Sequence, residues 1–166
     1  DDRLDLADLL NHLCDELMAA WPGRKIELAT SSKLCVLGNA AELRSAISNL
    51  IVNALKYSEA PVSVKWVDTI VGPALLVEDQ GLGIDPKHVP RLTERFYRVD
   101  KSRSHATGGT GLGLAIVKHV AVSHDAKLFV DSELGRGSTF RLVFPNDRAV
   151  LCDVCSTESL RADAGQ

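Results

Sequence analysis

A run of glycines could bind phosphate. Gly108, Gly109, Gly111 and Gly113 lie in the sequence TGGTGLGL, directly before an apolar helical pattern. Glycine allows consecutive backbone N–H groups to turn inward, and a helix N-terminus adds partial positive charge, so together they favour an anion site. The dinucleotide fingerprint would need glycine at Leu114, and the P-loop would need Lys-Ser/Thr after Gly113, so neither template fits. A plain flexible loop is the alternative.

Two asparagines and a lysine follow one line of a predicted helix. Asn49, Asn53 and Lys56 are spaced i, i+4, i+7, which stacks them beside the apolar stripe of the helix pattern over Ala40–Tyr57. Mg²⁺ prefers hard oxygen ligands and keeps several waters, so one or two carboxamide oxygens suffice, and the ammonium suits the phosphates that the metal bridges. An ordinary solvated helix face is the alternative.

A carboxylate ends a hydrophobic strand pattern and precedes two glycines. Asp79 follows the run ALLVE, and Gly81 and Gly83 come at alternate positions after it. An ionised aspartate only accepts hydrogen bonds, so it suits the exocyclic amine of adenine, and the glycines allow backbone to approach a flat base. A simple Asp-x-Gly turn after a strand explains the pattern equally well.

A basic segment with two aromatic residues follows, reading RLTERFYRVDKSR over residues 91–103. It could contact nucleic acid, form a charged surface, or form a lid in which Phe96 docks on the core while Arg98 or Lys101 reaches a phosphate. The formal net charge of −3 argues against a general nucleic-acid binder.

The elements that must position these residues alternate between helix and strand. The chain has 166 residues, enough for one domain with a real core. Its patterns predict an α/β sandwich with one mixed sheet covered by helices. No apolar run approaches the roughly 20 residues of a membrane span. Because the chain starts at Asp1 and its one methionine is Met18, we expect a fragment of a longer protein. Predicted helices cover residues 4–17, 40–57 and 113–123, and predicted strands cover 25–30, 61–67, 74–78, 127–131 and 139–144.

The four cysteines leave three interpretations. Cys152 and Cys155 form a C-x-x-C, which is compatible with a zinc or redox site, but Cys14 and Cys35 do not supply a second close pair. The C-x-x-C also lies in a polar stretch after Pro145 that lacks periodicity. We therefore expect reduced, unpaired thiols.

The order of the motifs resembles the four nucleotide-binding boxes of sensor histidine kinases. NLIVNALKY, DQGLGID, ERFYRVD and GGTGLGLAIVKH occur in that order, and the resemblance covers Leu43 to about Phe144. It implies a Bergerat-type two-layer α/β sandwich with a mobile ATP lid, in the superfamily of gyrase-type ATPases, Hsp90-type chaperones and mismatch-repair ATPases. LRSAISNL, PRLTERFYRVDKSRS and TGLGLAIVKHV are most similar to phosphate-regulon sensor kinases.

The same resemblance implies three segments. Residues 1–22 would be an N-terminal helix and the link from an upstream dimerisation and phosphoacceptor hairpin. Residues 23–145 would be the ATP-binding domain, and 146–166 a flexible C-terminal tail. The leucine-rich helix is expected to be the first helix of this domain rather than the end of that hairpin, because it lacks a sustained heptad.

The resemblance also implies site roles. Asn53 would bind magnesium with support from Asn49, and Lys56 and Arg98 would contact phosphates; Asn53, Lys56 and Arg98 are the candidate catalytic residues. Phe96 would anchor the lid. The remaining nucleotide contacts would be Tyr57 against the adenine, Asp79 on its amine, Gly81, Gly83 and Ile84 in the base pocket, and Gly109, Thr110, Gly111, Leu112, Gly113 and Leu114 as lid hinge and phosphate cradle.

The implied function is the binding of Mg-ATP and the presentation of its γ-phosphate to a histidine. That histidine would lie on a separate helical hairpin of the same protein, which is dimeric in the family, and a response regulator aspartate would receive the phosphoryl group. None of the five histidines is predicted to be the acceptor, because His12 lacks the context of an acceptor box and the others lie within or after the nucleotide motifs.

The implied location is the cytoplasmic portion of an inner-membrane-anchored bacterial sensor, with neither nucleic acid nor direct membrane contact for this segment. Two alternatives remain. One is an ATP-hydrolysing clamp of the gyrase or Hsp90 type, for which Glu42 is the candidate water-activating carboxylate. The other is a nucleotide-binding pseudokinase module.

Overall fold

A computed structural model describes residues 1–97 and 113–152, and in this part of the chain three helices cover one face of a five-stranded sheet. The described helices are α1 (Leu6–Ala20), α2 (Ala40–Tyr57) and α3 (Gly113–Ser123). The strands are β1 (Asp2–Leu4), β2 (Ile26–Thr30), β3 (Leu34–Gly38), β4 (Val62–Asp68), β5 (Pro73–Asp79), β6 (Lys127–Glu133), β7 (Gly137–Val143) and β8 (Ala149–Leu151).

The large sheet has the strand order β2-β4-β5-β7-β6. β2 and β4 are parallel and the other neighbours are antiparallel, which confirms the predicted mixed sheet. Strand alternation buries Val64 and Trp66 under the helices, whereas Lys65 lies on the opposite face. The register pairs Asp79 with Ser138, so the end of β5 lies beside the start of β7.

Side-chain caps begin the first two helices. The Asp5 carboxylate accepts the Asp8 N–H at 3.1 Å, and the Asn39 carboxamide oxygen accepts the Glu42 N–H at 3.0 Å. Both helices then bury their apolar stripes. α1 buries Leu6, Leu10 and Leu13 in the same core as α2.

A buried histidine joins α2 to α3. His124 follows α3 and is 2% exposed; its Nδ1–H donates to the Val120 carbonyl at 2.8 Å, and its Nε2 accepts the Asn39 N–H at 3.0 Å. Both ring nitrogens are therefore satisfied within the protein, and the end of α3 is fastened to the start of α2.

A second sheet differs from the prediction. β3 pairs with β1 on one side and β8 on the other, both antiparallel. The sequence predicts none of these three strands, and it assigns residues 146–151 to a flexible tail; the structure has a 3-10 turn over Asn146–Arg148 and then β8. Arg148 holds this segment in place, because its guanidinium contacts Asp1, Asp125 and the Leu37 carbonyl.

The prediction of unpaired thiols is wrong for two cysteines. Cys35 and Cys152 form a disulfide with their Cα atoms 5.3 Å apart, because the pairing of β3 with β8 brings these distant positions together. Cys14 is free, and burial followed by the charge of Asp15 raises the pKa of its thiol to about 11. Cys155 lies outside the described residues. Among those that are described, no helix is long and apolar enough to span a membrane.

Candidate nucleotide-binding site

The line of polar residues on α2 lies at the edge of the core, as its spacing predicts. Asn49, Asn53 and Lys56 are half-buried, and Tyr57 is 45% exposed at the end of the helix. The Asn49 amide donates to the Ser45 carbonyl at 2.8 Å, so its Oδ1 remains available as an acceptor.

The start of α3 faces this line. A Cβ placed on Gly113 would lie 3.1 Å from the Asn49 Oδ1, so the glycine that begins α3 lies beside the middle of α2. Leu114 packs against the core and holds this end of α3 in place. The two predicted phosphate-binding elements are therefore adjacent.

Asp79 ends β5 as a buried carboxylate. It is 8% exposed, and its Oδ1 accepts the Gly81 N–H at 2.9 Å. Burial raises the pKa of Asp79 above its ordinary value, while hydrogen bonds from the backbone N–H groups of Gly81 and Ser138 oppose that rise. The Asp79 carboxylate can therefore accept a hydrogen bond from a ligand, and the backbone N–H groups of Gly81 and Ser138 hold it in a fixed orientation.

The loop after Asp79 lies directly on the end of α2. A Cβ on Gly81 would be 2.1 Å from the Tyr57 carbonyl oxygen, a distance that no side chain can adopt without moving backbone. Glycine is required here for close approach. The contact brings Asp79 and the end of α2 into one site.

The β6–β7 hairpin supports the same loop from the other side. Gly83 has φ +76°, and a Cβ there would lie 2.1 Å from the Glu133 carbonyl oxygen. The Ile84 N–H donates to the Ser132 hydroxyl at 2.7 Å, and the Gly135 N–H donates to the Leu82 carbonyl at 2.8 Å. The loop 80–84 is thus held between α2 and this hairpin.

The segment after the loop differs from the expectation for Phe96. Its side chain is 70% exposed and its φ is +65°, so Phe96 does not pack on the core in this structure, and its role as a lid anchor stays a prediction. Leu92 is the buried residue of this segment, at 6% exposure. Tyr97 contacts His88 by a hydrogen bond, and the Arg91 guanidinium lies 4.5 Å from the centre of the Tyr97 ring.

Five predicted site residues lie outside the described ranges, which end at residue 97 and resume at 113. These are Arg98, Gly109, Thr110, Gly111 and Leu112. Of the predicted contacts within the described ranges, the structure brings together those on α2, on the loop after β5 and at the start of α3.

Sequence reasoning missed three residues that support the site. Ser138 donates its backbone N–H to Asp79, Ser132 holds Ile84, and Arg24 binds carbonyl groups at the end of α2. The turn around Gly135 and Gly137 did predict the hairpin that carries both serines. Arg24 gave no signal, because its partners lie more than 30 residues away in the chain.

The site combines a buried carboxylate that can accept from an amine, a glycine loop packed on the end of α2, and a line of two amides and one ammonium along α2. Within residues 1–97 and 113–152, no three His, Cys, Asp or Glu side chains converge on a common point. A cation at this site would therefore depend on the carboxamide oxygens of Asn49 and Asn53, which are hard ligands suited to Mg²⁺.

Comparisons with known proteins agree with this geometry. The family described as "Histidine kinase-, DNA gyrase B-, and HSP90-like ATPase" matches residues 38–148. The phosphate regulon sensor protein PhoR of Pseudomonas aeruginosa is 50% identical over 131 residues, which cover 78% of this chain and 30% of that protein. The chain thus spans about a third of the length of the first relatives it matches, at 30% and 34%.

Solved structures show the same fold. A mycobacterial sensor histidine kinase, MprB, superposes with a TM-score of 0.75 at 28% identity, covering 87% of this chain and 96% of that one. Full-length ShkA in complex with AMPPNP superposes with a TM-score of 0.74 at 30% identity, covering 91% of this chain and 31% of that one. The chain therefore belongs to the family of histidine kinase-, DNA gyrase B- and HSP90-like ATPases, and is an ATP-binding catalytic domain of the sensor histidine kinase type.

Proposed function

We propose that this chain binds Mg-ATP between α2, the loop after β5 and the start of α3, and presents the γ-phosphate to a histidine on a separate helical hairpin of the same protein. A response regulator aspartate then receives the phosphoryl group. The observation that carries the proposal is the buried Asp79 carboxylate on a glycine loop that lies against the end of α2. The ShkA relative, solved with an ATP analogue, supports the choice of nucleotide.

Asp79 recognises the base in this proposal. The adenine amine is a donor, and an ionised carboxylate accepts without competing as a donor. Gly81 and Gly83 lie too close to the Tyr57 and Glu133 carbonyls to carry side chains, so glycine at both positions keeps the loop beside Asp79 packed against α2 and the hairpin. Tyr57, half-exposed at the end of α2, covers one side of the adenine ring.

Asn53, Asn49 and Lys56 bind the metal and phosphates. The Asn49 amide nitrogen is engaged by Ser45, which leaves its oxygen for a magnesium-bound water, and Asn53 lies one turn further toward the nucleotide. When bound, Mg²⁺ would neutralise phosphate charge. Lys56 would hold the phosphate oxygens, and Arg98 and residues 109–112 retain their predicted roles at the terminal phosphate.

The chain's contribution to phosphoryl transfer would be positioning and electrostatic stabilisation, which are what this reaction needs from a protein. The acceptor histidine and response regulator are partners outside this sequence, and the whole protein would be a membrane-anchored bacterial sensor with this domain in the cytoplasm. A protein about two and a half times the length of this chain, as the relatives are, has room for both the hairpin and the anchor.

The clamp alternative receives no support from Glu42. Its carboxylate lies at the first turn of α2, 3.4 Å from the Ser123 hydroxyl, about two turns before Asn49. A water-activating carboxylate would have to lie near the terminal phosphate, which the proposal places beside Asn49 and Gly113 at the middle of α2.

The nucleotide assignment is tested by Asp79→Asn, with Asp131→Asn as the matched control because Asp131 lies on the opposite sheet face beside Arg141. We expect ADP affinity, measured by calorimetry, to fall about tenfold to a hundredfold, since hydrogen bonds to charged groups contribute about 1.5–3 kcal/mol. Asp131→Asn should bind like the wild type. Unchanged affinity in Asp79→Asn would refute base recognition by this carboxylate.

The stability of the same variant separates lost binding from lost folding. Because the folded pKa of Asp79 is raised, its ionised form destabilises the native state as pH rises from the unfolded value through the folded pKa. An asparagine carries no charge at any of these pH values. We therefore expect the unfolding free energy of Asp79→Asn at pH 7 to be no lower than that of the wild type.

A further inference from the structure

The end of α2 lacks a cap of its own. A helix leaves its last carbonyl groups without partners, and a glycine in the left-handed conformation usually turns the chain back to satisfy them. Here Tyr57 is followed by Ser58 in extended conformation, with φ −142° and ψ 146°. The carbonyls at this end therefore need a donor from elsewhere.

Arg24 supplies that donor. Its guanidinium donates to the Leu55 carbonyl at 2.6 Å, to the Ala60 carbonyl at 3.3 Å, and also to the Ser58 carbonyl. The planar fork of arginine can bridge several acceptors in fixed geometry, which the single ammonium of lysine cannot do. One side chain thus ties together the last turn of α2 and the strand connection that follows it.

The base of Arg24 is itself fixed by the sheet. The next residue, Lys25, accepts the Val62 N–H at 3.0 Å, and Ile26 and Val62 are the first pair of the parallel β2–β4 ladder. The Arg24 N–H donates to the Trp21 carbonyl at 3.1 Å. Arg24 therefore links the start of β2, at the edge of the sheet, to the end of α2.

We infer that Arg24 is a positioning residue for nucleotide binding. The turn that it caps carries Lys56 and Tyr57 and follows Asn53, and the Tyr57 carbonyl is the atom against which the Gly81 loop packs. Arg24 binds the Leu55 and Ser58 carbonyls at this helix end, and the Gly81 loop packs on the Tyr57 carbonyl between them in the sequence. The inference rests on the proposed roles of the α2 residues, and it adds a residue that touches neither nucleotide nor metal.

Arg24→Met tests the inference, with Arg148→Met as the matched control. Arg148 is also partly buried and also bonds to a carbonyl, that of Leu37, but it serves the small sheet. We expect Arg24→Met to weaken ADP binding about threefold to tenfold, because apparent affinity falls with the fraction of molecules in which the helix end is correctly placed. Amide hydrogen exchange at residues 54–60 should accelerate in the same variant.

Arg148→Met should lose stability in urea while its ADP affinity stays within about twofold of the wild type. Equal affinity in Arg24→Met and wild type, or an equal loss in the two methionine variants, would overturn the inference. Should Arg24→Met fail to fold, Arg24→Lys takes its place. Its loss of ADP affinity is expected to be at the lower end of the range given for Arg24→Met, about threefold, and ADP affinity equal to that of the wild type would overturn the inference. Absence of ADP binding by the wild type, or unchanged binding by Asp79→Asn, would instead overturn the proposed function.

Discussion

Gly83→Ala and Gly135→Ala form a matched pair that tests how the base loop is held. The two glycines have nearly the same backbone conformation, with φ +76° and +83°. A Cβ on Gly135 would meet nothing within 4 Å, whereas a Cβ on Gly83 would lie 2.1 Å from the Glu133 carbonyl oxygen. The difference between the two variants therefore isolates the contact between the loop and the β6–β7 hairpin.

The expected loss of unfolding free energy can be worked out for each variant from its backbone conformation and from the hydrogen bonds that it loses. Left-handed backbone costs an alanine about 1–2 kcal/mol, and removing a glycine recovers about 0.4–1 kcal/mol from the unfolded chain, so Gly135→Ala should destabilise by about 0–1.6 kcal/mol. In Gly83→Ala the loop must also move from the hairpin. It would then lose the bonds Ile84 N–H to Ser132 and Gly135 N–H to Leu82, each contributing about 0.5–1.5 kcal/mol.

We therefore expect Gly83→Ala to be about 1–3 kcal/mol less stable than Gly135→Ala in urea unfolding. ADP affinity should fall about tenfold in Gly83→Ala and remain near the wild-type value in Gly135→Ala, because only the former displaces the loop beside Asp79. Equal unfolding free energies in the two variants would refute the steric argument. Equal ADP affinities would refute the link between this loop and the base.

Two further predictions concern the metal and the disulfide. In Asn53→Ala, the ratio of ATP affinities measured with Mg²⁺ and with EDTA should fall to about one, whereas exposed Asn146→Ala keeps the wild-type ratio; a wild-type ratio in Asn53→Ala would exclude Asn53 as a ligand. Reduction of the Cys35–Cys152 bond, which joins positions 117 residues apart, should lower the unfolding free energy by up to about 5 kcal/mol by the loop-entropy relation. The unfolding free energy of Cys35→Ser should equal that of the reduced wild type and should not change when reductant is added. Equal unfolding free energies of the oxidised wild type and Cys35→Ser would contradict the expectation.

The sequence predicted best where a pattern is local and long. Helical periodicity places α2 over Ala40–Tyr57 and α3 over Gly113–Ser123, the bounds that the structure has. Each helix has several turns of apolar stripe against one core, so local propensity and burial agree. The strand of Asp79 and its glycine loop were predictable for the same reason.

What the sequence could not predict depends on pairing between distant segments. β1 and β8 have three residues each, too few for a period to emerge, and both exist because β3 lies between them. The Cys35–Cys152 bond follows from that pairing and not from the C-x-x-C spacing. The role of Arg24 could not be predicted for the same reason, because its partner, the Leu55 carbonyl, is 31 residues away and no local sequence pattern indicates the contact.

The buried hydrogen bond of His124 has a consequence for the opposite end of α3, because the two ends of a helix move together. At one end the His124 Nε2 accepts the Asn39 N–H, and at the opposite end Gly113 lies beside Asn49 while Leu114 packs against the core. The 11 residues of α3 give a length of about 16 Å at 1.5 Å per residue. A tilt of α3 by about 5° about its His124 end would then change the distance between Gly113 and α2 by about 1.4 Å, roughly the radius of a water molecule. The buried contact of His124 is therefore one of the contacts on which the spacing between α2 and the start of α3 depends.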